Sequence, residues 1–318
     1  MPDATTNGSP MIEVQDLARW YGTTPALRQV SFNVHKGEIL GFLGPNGAGK
    51  TTTMRILTGY MPPSAGTARV AGYDVFYDSI EVRKRIGYLP ETVPLYPEMT
   101  VWDYLDFCAR LRGVTERDAA IERVMEMTSI GEYADSLIGK LSKGYRQRVG
   151  IAQALVHNPD VLILDEPTIG LDPKQIIEIR NLIKSLAGDH TIILSTHILP
   201  EVSQTCSRVL IINDGVIVAE DTPERLSARV RGAEHIYLQV AHPAPEIPAE
   251  LEKVQGVLGV RTRAEGVYEI ETTLGTDRRA DIATRVVQRG WGLLELRPLS
   301  LSLEEVFLKL TTSEEASS

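Results

Sequence analysis

The sequence predicts an α/β fold: a parallel sheet built around a phosphate-binding loop, with an antiparallel β subdomain and a helical subdomain, followed by a small α+β domain. Three observations predict it. The stretch Gly44-Pro45-Asn46-Gly47-Ala48-Gly49-Lys50-Thr51-Thr52 fits the pattern G-x-x-x-x-G-K-[ST], with an apolar strand-like run before it and a helix-like run behind it. Two further runs, DVLIL at 160–164 and TIIL at 191–194, are β-branched and continuously apolar, as central parallel strands buried on both faces are. After about Arg229 the pattern changes to strand and helix segments in the order β-α-β-β-α-β.

Residues 1–10 are small and polar and are expected to be disordered. From Met11 to Val34, short alternating runs punctuated by Gly22 and Pro25 read as antiparallel strands. Gly37 to Leu43 reads as the strand entering the phosphate loop, and Thr52 to Thr58 as the helix leaving it, closed by Gly59. Pro62-Pro63 and Gly66 then return the chain to strand character at Thr67–Ala71. From about 92 to 158 the segment is helical in character. Val101, Tyr104, Leu105, Cys108 and Leu111 recur at i, i+3, i+4, i+7 and i+10, one face of a helix. Asn213-Asp214-Gly215 between two apolar runs predicts a tight hairpin. The first domain is expected to run from 11 to 229 and the second from 230 to 310, the latter resembling a split βαβ, ferredoxin-like sandwich, with a loose tail at 311–318.

Composition narrows the function classes. The chain has 318 residues, 43% hydrophobic and 24% charged, which is globular and long enough for two domains. A net charge of -9 argues against a nucleic-acid-binding surface. Cys108 and Cys206 lie far apart without metal-ligand spacing, as expected of a reduced, cytosolic protein. The sequence shows neither a charged-then-apolar leader nor an apolar run of about 18 residues, so any membrane role is expected to come through a partner.

The chemistry of the loop follows from its residue types. Glycines let backbone N–H groups turn inward on a phosphate without a Cβ in the way. The following helix points its first N–H groups and its positive dipole end at the same anion. Lys50 can reach the β- and γ-phosphates, and the Thr51 hydroxyl can ligate Mg²⁺. Downstream, VLIL ends in Asp165-Glu166. Since ligands bind at the carboxyl ends of parallel strands, both acids are expected beside the phosphates. Asp165 would hold Mg²⁺, directly or through water, and Glu166 would act as general base on the attacking water. Alone, such a pair is more often a surface cap on a strand, and the phosphate loop is what reverses that weighting.

With Leu141-Ser142-Lys143-Gly144-Tyr145-Arg146-Gln147-Arg148 shortly before that acidic strand, the whole set resembles the ABC-type ATPases, a family of P-loop NTPases, over about Met11 to Arg229. The resemblance implies that Ser142 and Gly144 belong to the family's LSGGQ signature, which binds the γ-phosphate held by the opposite subunit. Lys143 and Tyr145 depart from that signature. It implies that Tyr21 stacks on adenine, with Trp20 as the neighbouring competitor. It also implies that Asp172 in Ile169-Gly170-Leu171-Asp172 crosses a dimer interface, and that His197 contacts the γ-phosphate and orients water. The runs Ile86-Gly87-Tyr88-Leu89-Pro90-Glu91 and Ser302-Leu303-Glu304-Glu305-Val306-Phe307-Leu308 look like those of exporter ATPases related to gliding-motility subunits. Glu91 stands where most of the family carries glutamine, and is expected within reach of the metal when ATP is bound.

The expected function is therefore ATP + H₂O → ADP + phosphate, with ATP and Mg²⁺ as cofactors. The chain would form a head-to-tail homodimer around two ATP molecules, held at the inner face of the membrane by a separate permease. A soluble ABC ATPase acting on DNA or the ribosome is the runner-up. DNA-repair members carry long coiled-coil insertions and ribosome-associated ones usually two ATPase halves, and this chain has neither. A small-molecule kinase would leave Ser142, Asp172 and His197 without a role.

Overall fold

A computed structural model of the chain describes residues 10–223, 225–226, 234–273 and 277–299. It divides into two compact units, Met1–Pro223 and Glu224–Ser318, a boundary ahead of the expected Arg229. The run Ser302–Leu308, most of the N-terminal decapeptide and the tail 311–318 lie outside the described residues.

The first unit opens with β1 (Ile12–Tyr21), β2 (Thr24–Val34), β3 (Ile39–Leu43), α1 (Lys50–Leu57), β4 (Ala65–Val70) and β5 (Tyr73–Asp74). It continues with α2 (Ser79–Arg85), β6 (Ile86–Leu89), α3 (Val101–Leu111), α4 (Arg117–Met127) and α5 (Lys143–Leu155). It closes with β7 (Val161–Asp165), α6 (Pro173–Ser185), β8 (Thr191–Thr196), α7 (Leu199–Thr205), β9 (Arg208–Asn213) and β10 (Val216–Asp221).

The smaller sheet of this unit is antiparallel, of order β2-β1-β4-β5. Its alternating apolar residues, Ile12, Val14 and Leu17 on β1 and Val30, Phe32 and Val34 on β2, are buried in one core with Met54, Ile56 and Leu57 of α1. Pro25 lies inside β2 rather than before it, pairing with Trp20, and β2 is the sheet's edge, where a missing N–H is tolerated. Likewise β4 begins at Ala65, ahead of the expected Thr67. Gly66 has φ +78, and a Cβ there would lie 2.2 Å from the Asp16 carbonyl oxygen, so only glycine lets β4 close on the irregularity between Gln15 and Ala18.

The larger sheet has the order β10-β9-β3-β8-β7-β6, parallel except for β10, which returns antiparallel on β9. Every residue of β3, β7 and β8 is buried, as their unbroken apolar runs require. The β9–β10 turn has φ 45 at Asp214 and φ 78 at Gly215, the two positive values of a type I′ hairpin. The helix after the phosphate loop starts at Lys50, two residues before the expected Thr52.

In the helical region, Thr100 caps α3 by accepting from Asp103 N–H, and Ser142 caps α5 by accepting from Tyr145 N–H. Val101, Tyr104 and Leu105 are buried as expected, but Leu111 is 71% exposed and Ala109 is buried in its stead. Leu111 is the last residue of α3; Arg112 and Gly113 (φ +70) end the helix there, and its final turn leaves the core. Among the described residues, no helix is long and apolar enough to cross a membrane.

The second unit runs β11 (Glu234–Val240), α8 (Ile247–Leu251), β12 (Val257–Ala264), β13 (Val267–Thr272), α9 (Arg279–Gln288) and β14 (Leu293–Leu299). Its sheet is antiparallel with the order β12-β13-β11-β14, placing the first and third strands in the middle, as in a split βαβ. Ile247 and Leu251 of α8 and Ile282 and Val286 of α9 share one core with Ile236, Leu238, Tyr268 and Ile270.

Candidate functional site

Four neighbouring parallel strands end at one place, and each delivers a motif there. Gly44 to Gly49 follow β3, Pro90-Glu91 follow β6, Asp165-Glu166 end β7, and Thr196-His197 end β8. A cleft of about 400 Å³ opens between them. Asn46, Gly47, Gly49, Lys50, Thr51 and Thr52 line one side, and Glu91, Glu166, Ile169 and His197 complete it.

The loop's shape is dictated by its glycines. Gly49 has φ +107, a value closed to side chains, and a Cβ there would also sit 2.7 Å from the Ala26 carbonyl oxygen. The first helical bond runs from Thr53 N–H to the Gly49 carbonyl, so the N–H groups of Lys50, Thr51 and Thr52 are those a helix leaves without intrahelical partners. No side chain caps them and no acid occupies the first turn. Gly44, Pro45 and Ala48 do not line the cleft but hold its frame. Ala48 N–H donates to Pro45 O at 3.2 Å, and the Lys50 ammonium donates to Gly44 O at 2.8 Å and Pro45 O at 3.2 Å.

The two acids of β7 differ in environment. Asp165 is fully buried and neither carboxylate oxygen has a hydrogen-bond partner. Burial pushes its pKa above the usual carboxylate value, the nearby Ser195 and Thr51 hydroxyls pull against that shift, and the charges of Glu166 and Glu91 add to it. Two orphaned oxygens of a buried carboxylate beside a threonine hydroxyl form a hard, oxygen-only donor set, which fits Mg²⁺. Glu166 is 5% exposed and has φ 50, an uncommon left-handed conformation for a residue with a side chain. Its N–H donates to Ser195 O at 2.9 Å. Both carboxylate oxygens lie 2.9 Å from His197 Nδ1, and Oε1 is 3.6 Å from Lys50 Nζ. Lysine, glutamate and histidine, from three different strands' ends, thus meet at the cleft.

Other expected site residues stand elsewhere. Tyr21 ends β1, 45% exposed, with its hydroxyl donating to Met61 Sδ at 3.3 Å and the Arg19 guanidinium 5.3 Å from its ring. Trp20 is equally exposed, at 44%. Ser142 and Asp172 are helix N-caps, for α5 and α6, and neither they nor Gly144 line the cleft. The starts of those two helices touch. A Cβ on Gly144 would come 2.5 Å from the Gln175 side chain, and one on Gly170 would come 2.2 Å from Lys143 Nζ. The departing residues are accommodated there, Lys143 over Gly170 and Tyr145 against the Tyr133 ring at 4.2 Å. The sequence placed Ile169 only in the segment expected at a dimer interface, whereas it stands in the cleft wall, and it gave no role to Ser195, Thr196 or Glu201 behind that wall. Their only signal was position, beside Glu166 and His197.

A family profile described as ABC transporter matches residues 27–169. The chain is 35% identical over 304 residues to a bacitracin transport ATP-binding protein of Bacillus licheniformis, covering 95% of this chain and 97% of that one. It is also 35% identical to a Nod factor export ATP-binding protein of Paraburkholderia xenovorans, covering 99% of each chain. A solved dimeric structure of a bacterial ABC transporter cassette superposes with a TM-score of 0.62 at 26% identity, over 67% of this chain and 98% of that one. With a phosphate loop, a buried acidic strand end and a histidine arranged as above, the chain belongs to the ABC transporter family, as an ATP-binding subunit that hydrolyses ATP.

Proposed function

We propose that the chain powers a membrane exporter through a separate permease, hydrolysing ATP at the cleft of β3, β6, β7 and β8. The observation that carries this reading is the meeting of Lys50, Glu166 and His197 at the mouth of a phosphate loop, with the orphaned Asp165 carboxylate behind it. Export is supported by relatives that align over nearly the whole chain and are named for bacitracin transport and Nod factor export. Tyr96, Phe107 and Leu111, exposed on and before α3, offer the permease an apolar face. The chain would then lie at the inner face of the cell membrane, with the second unit as an accessory module.

In this reading the N–H groups of Lys50, Thr51 and Thr52 bind the β- and γ-phosphates. Lys50 leaves the Gly44 and Pro45 carbonyls for the phosphate oxygens. Thr51 and Asp165 hold Mg²⁺, with the Glu91 carboxylate facing the same space from the cleft wall. Mg²⁺, when bound with the nucleotide, neutralises phosphate charge and polarises the γ-phosphate. Glu166 takes the proton of the attacking water, oriented by the His197 Nδ1–H that donates to it. Tyr21 serves the adenine.

Ser142, Gly144 and Asp172 do not line their own chain's cleft, and a solved relative is a dimer. We therefore assign them to the partner's nucleotide in a symmetric head-to-tail homodimer that closes on two ATP molecules. The chemical assignment is tested by Glu166→Gln, which keeps shape and removes basicity. ATP binding is expected to persist, while steady-state hydrolysis falls by a factor of roughly 10²–10⁴. Near-parental turnover in this variant would remove Glu166 from the role.

A further inference from the structure

We propose that Glu201 is a positioning residue for hydrolysis, its carboxylate tying the turn that carries Glu166 to the turn that carries His197. The inference rests on the ATPase reading of the cleft and concerns a residue outside it.

Glu201 lies in α7 and is only 4% exposed. Its two oxygens are taken by hydroxyls from two different loops. Thr168 donates to Oε1, and Thr196 donates to Oε2 at 3.1 Å. Thr168 sits inside overlapping turns closed by Ile169 N–H to Glu166 O and by Leu171 N–H to Thr168 O, each at 3.2 Å. The Thr196 hydroxyl in turn accepts from Ile198 N–H at 3.1 Å, closing a turn around His197. One carboxylate therefore holds the residue two positions after Glu166 and the residue just before His197. Glu166 and His197 are the pair that hydrogen-bond to each other at 2.9 Å in the cleft. Ile169, next to Thr168, is part of the cleft wall.

A buried carboxylate is a costly way to fill space, and apolar packing of the same volume stabilises at least as well. Burial indeed pushes the Glu201 pKa up, opposed by the two hydroxyls, with the Glu166 charge adding to the rise and His197 reducing it. What the carboxylate supplies and a leucine does not is two acceptors at a fixed separation, which fixes the distance between the two hydroxyl-bearing turns. A general base and its orienting histidine gain from that restraint, because small errors in placement cost large factors in rate. Nucleotide binding has no need of it, since the phosphate loop is built on β3 and α1.

The restraint separates turnover from binding. In the full chain, Thr168→Val and Glu201→Gln are each expected to lower kcat by about 10-fold or more, with KM for ATP within about 3-fold of the parent. Thr168→Ser, which keeps the hydroxyl, is expected to hold parental kcat. The double variant Thr168→Val/Glu201→Gln is expected to fall no further than the less active of the two singles, since both break the same tie. Thr168→Val is nearly isosteric, so its thermal midpoint serves as the control that the fold is intact. Parental kcat in both single variants, alongside an inactive Glu166→Gln control, overturns the tie while leaving the ATPase reading in place. Equal loss in Thr168→Ser and Thr168→Val overturns it too, because the hydroxyl is then not what matters. A parent chain without ATP turnover overturns both readings.

Discussion

At residue scale, Asp165 sets charge against burial. Both oxygens are buried without a donor, and its pKa is raised above the usual carboxylate value. A group whose folded pKa is raised contributes stability below its unfolded pKa and loses it as pH rises through the folded value. Without metal, the charged form is thus a burden at neutral pH, and Mg²⁺ beside Thr51 relieves it. Asp165→Asn removes the charge at constant shape. Its metal-free form is expected to be more stable than the parent near pH 7.5, because the burdened charge is gone. The thermal shift that the parent gains on adding ATP with Mg²⁺ is expected to shrink to that of ATP alone. Thermal unfolding with and without Mg²⁺ reads both, and a parental Mg²⁺-dependent shift in Asp165→Asn would move the metal elsewhere. Glu166 adds a second burden, a left-handed backbone of order 1–3 kcal/mol, accepted where the strand end must turn its carboxylate into the cleft.

At the scale of elements, α5 links the signature end of the helical region to the central sheet. Its start caps on Ser142 and rests against Gln175 of α6, while His157, just past its end, reaches the first residue of β6. His157 Nε2 is 3.1 Å from Ile86 O, and Nδ1 is buried without a partner. Protonation would therefore place a second N–H where nothing accepts it, near Arg112, and burial first of all lowers the pKa to about 4. A depressed histidine pKa means that only the unfolded chain takes up the proton as pH falls below about 6.5. Stability is expected to fall by up to about 3 kcal/mol between pH 6.5 and 4 on this account, and His157→Gln to flatten that limb in denaturant titrations. An unchanged acid limb would mean that other groups set it.

The same contact shows what the sequence made legible. The phosphate loop could be read because its backbone needs particular residue types at fixed spacing, and β7 and β8 because burial on both faces writes an unbroken apolar run. By contrast β6 has four residues, one of them Gly87, where a Cβ would lie 2.1 Å from the Ala154 carbonyl oxygen of α5. That glycine answers to a helix nearly 70 positions away, and no local pattern announces it. Glu201 is hidden for a similar reason. One acid on a short helix reads as a surface charge until two hydroxyls from separate loops are found on it.

For the whole molecule, the arrangement leaves one half of the chemistry without the other. The cleft gathers Lys50, Thr51, Glu166 and His197, with Asp165 buried behind it, whereas Ser142, Gly144 and Asp172 stand outside it on the capped ends of α5 and α6. The central claim is that two chains complete each other's sites. Two inactive variants test it when mixed: Lys50→Ala, which disables the phosphate loop, and Ser142→Arg, which blocks the signature end of α5. In a head-to-tail pair of one chain of each kind, one site receives both defects and the other receives neither. Random pairing at a 1:1 ratio is then expected to restore about a quarter of parental ATPase activity. Each variant alone stays near zero. A mixture no more active than its two components would contradict the shared site.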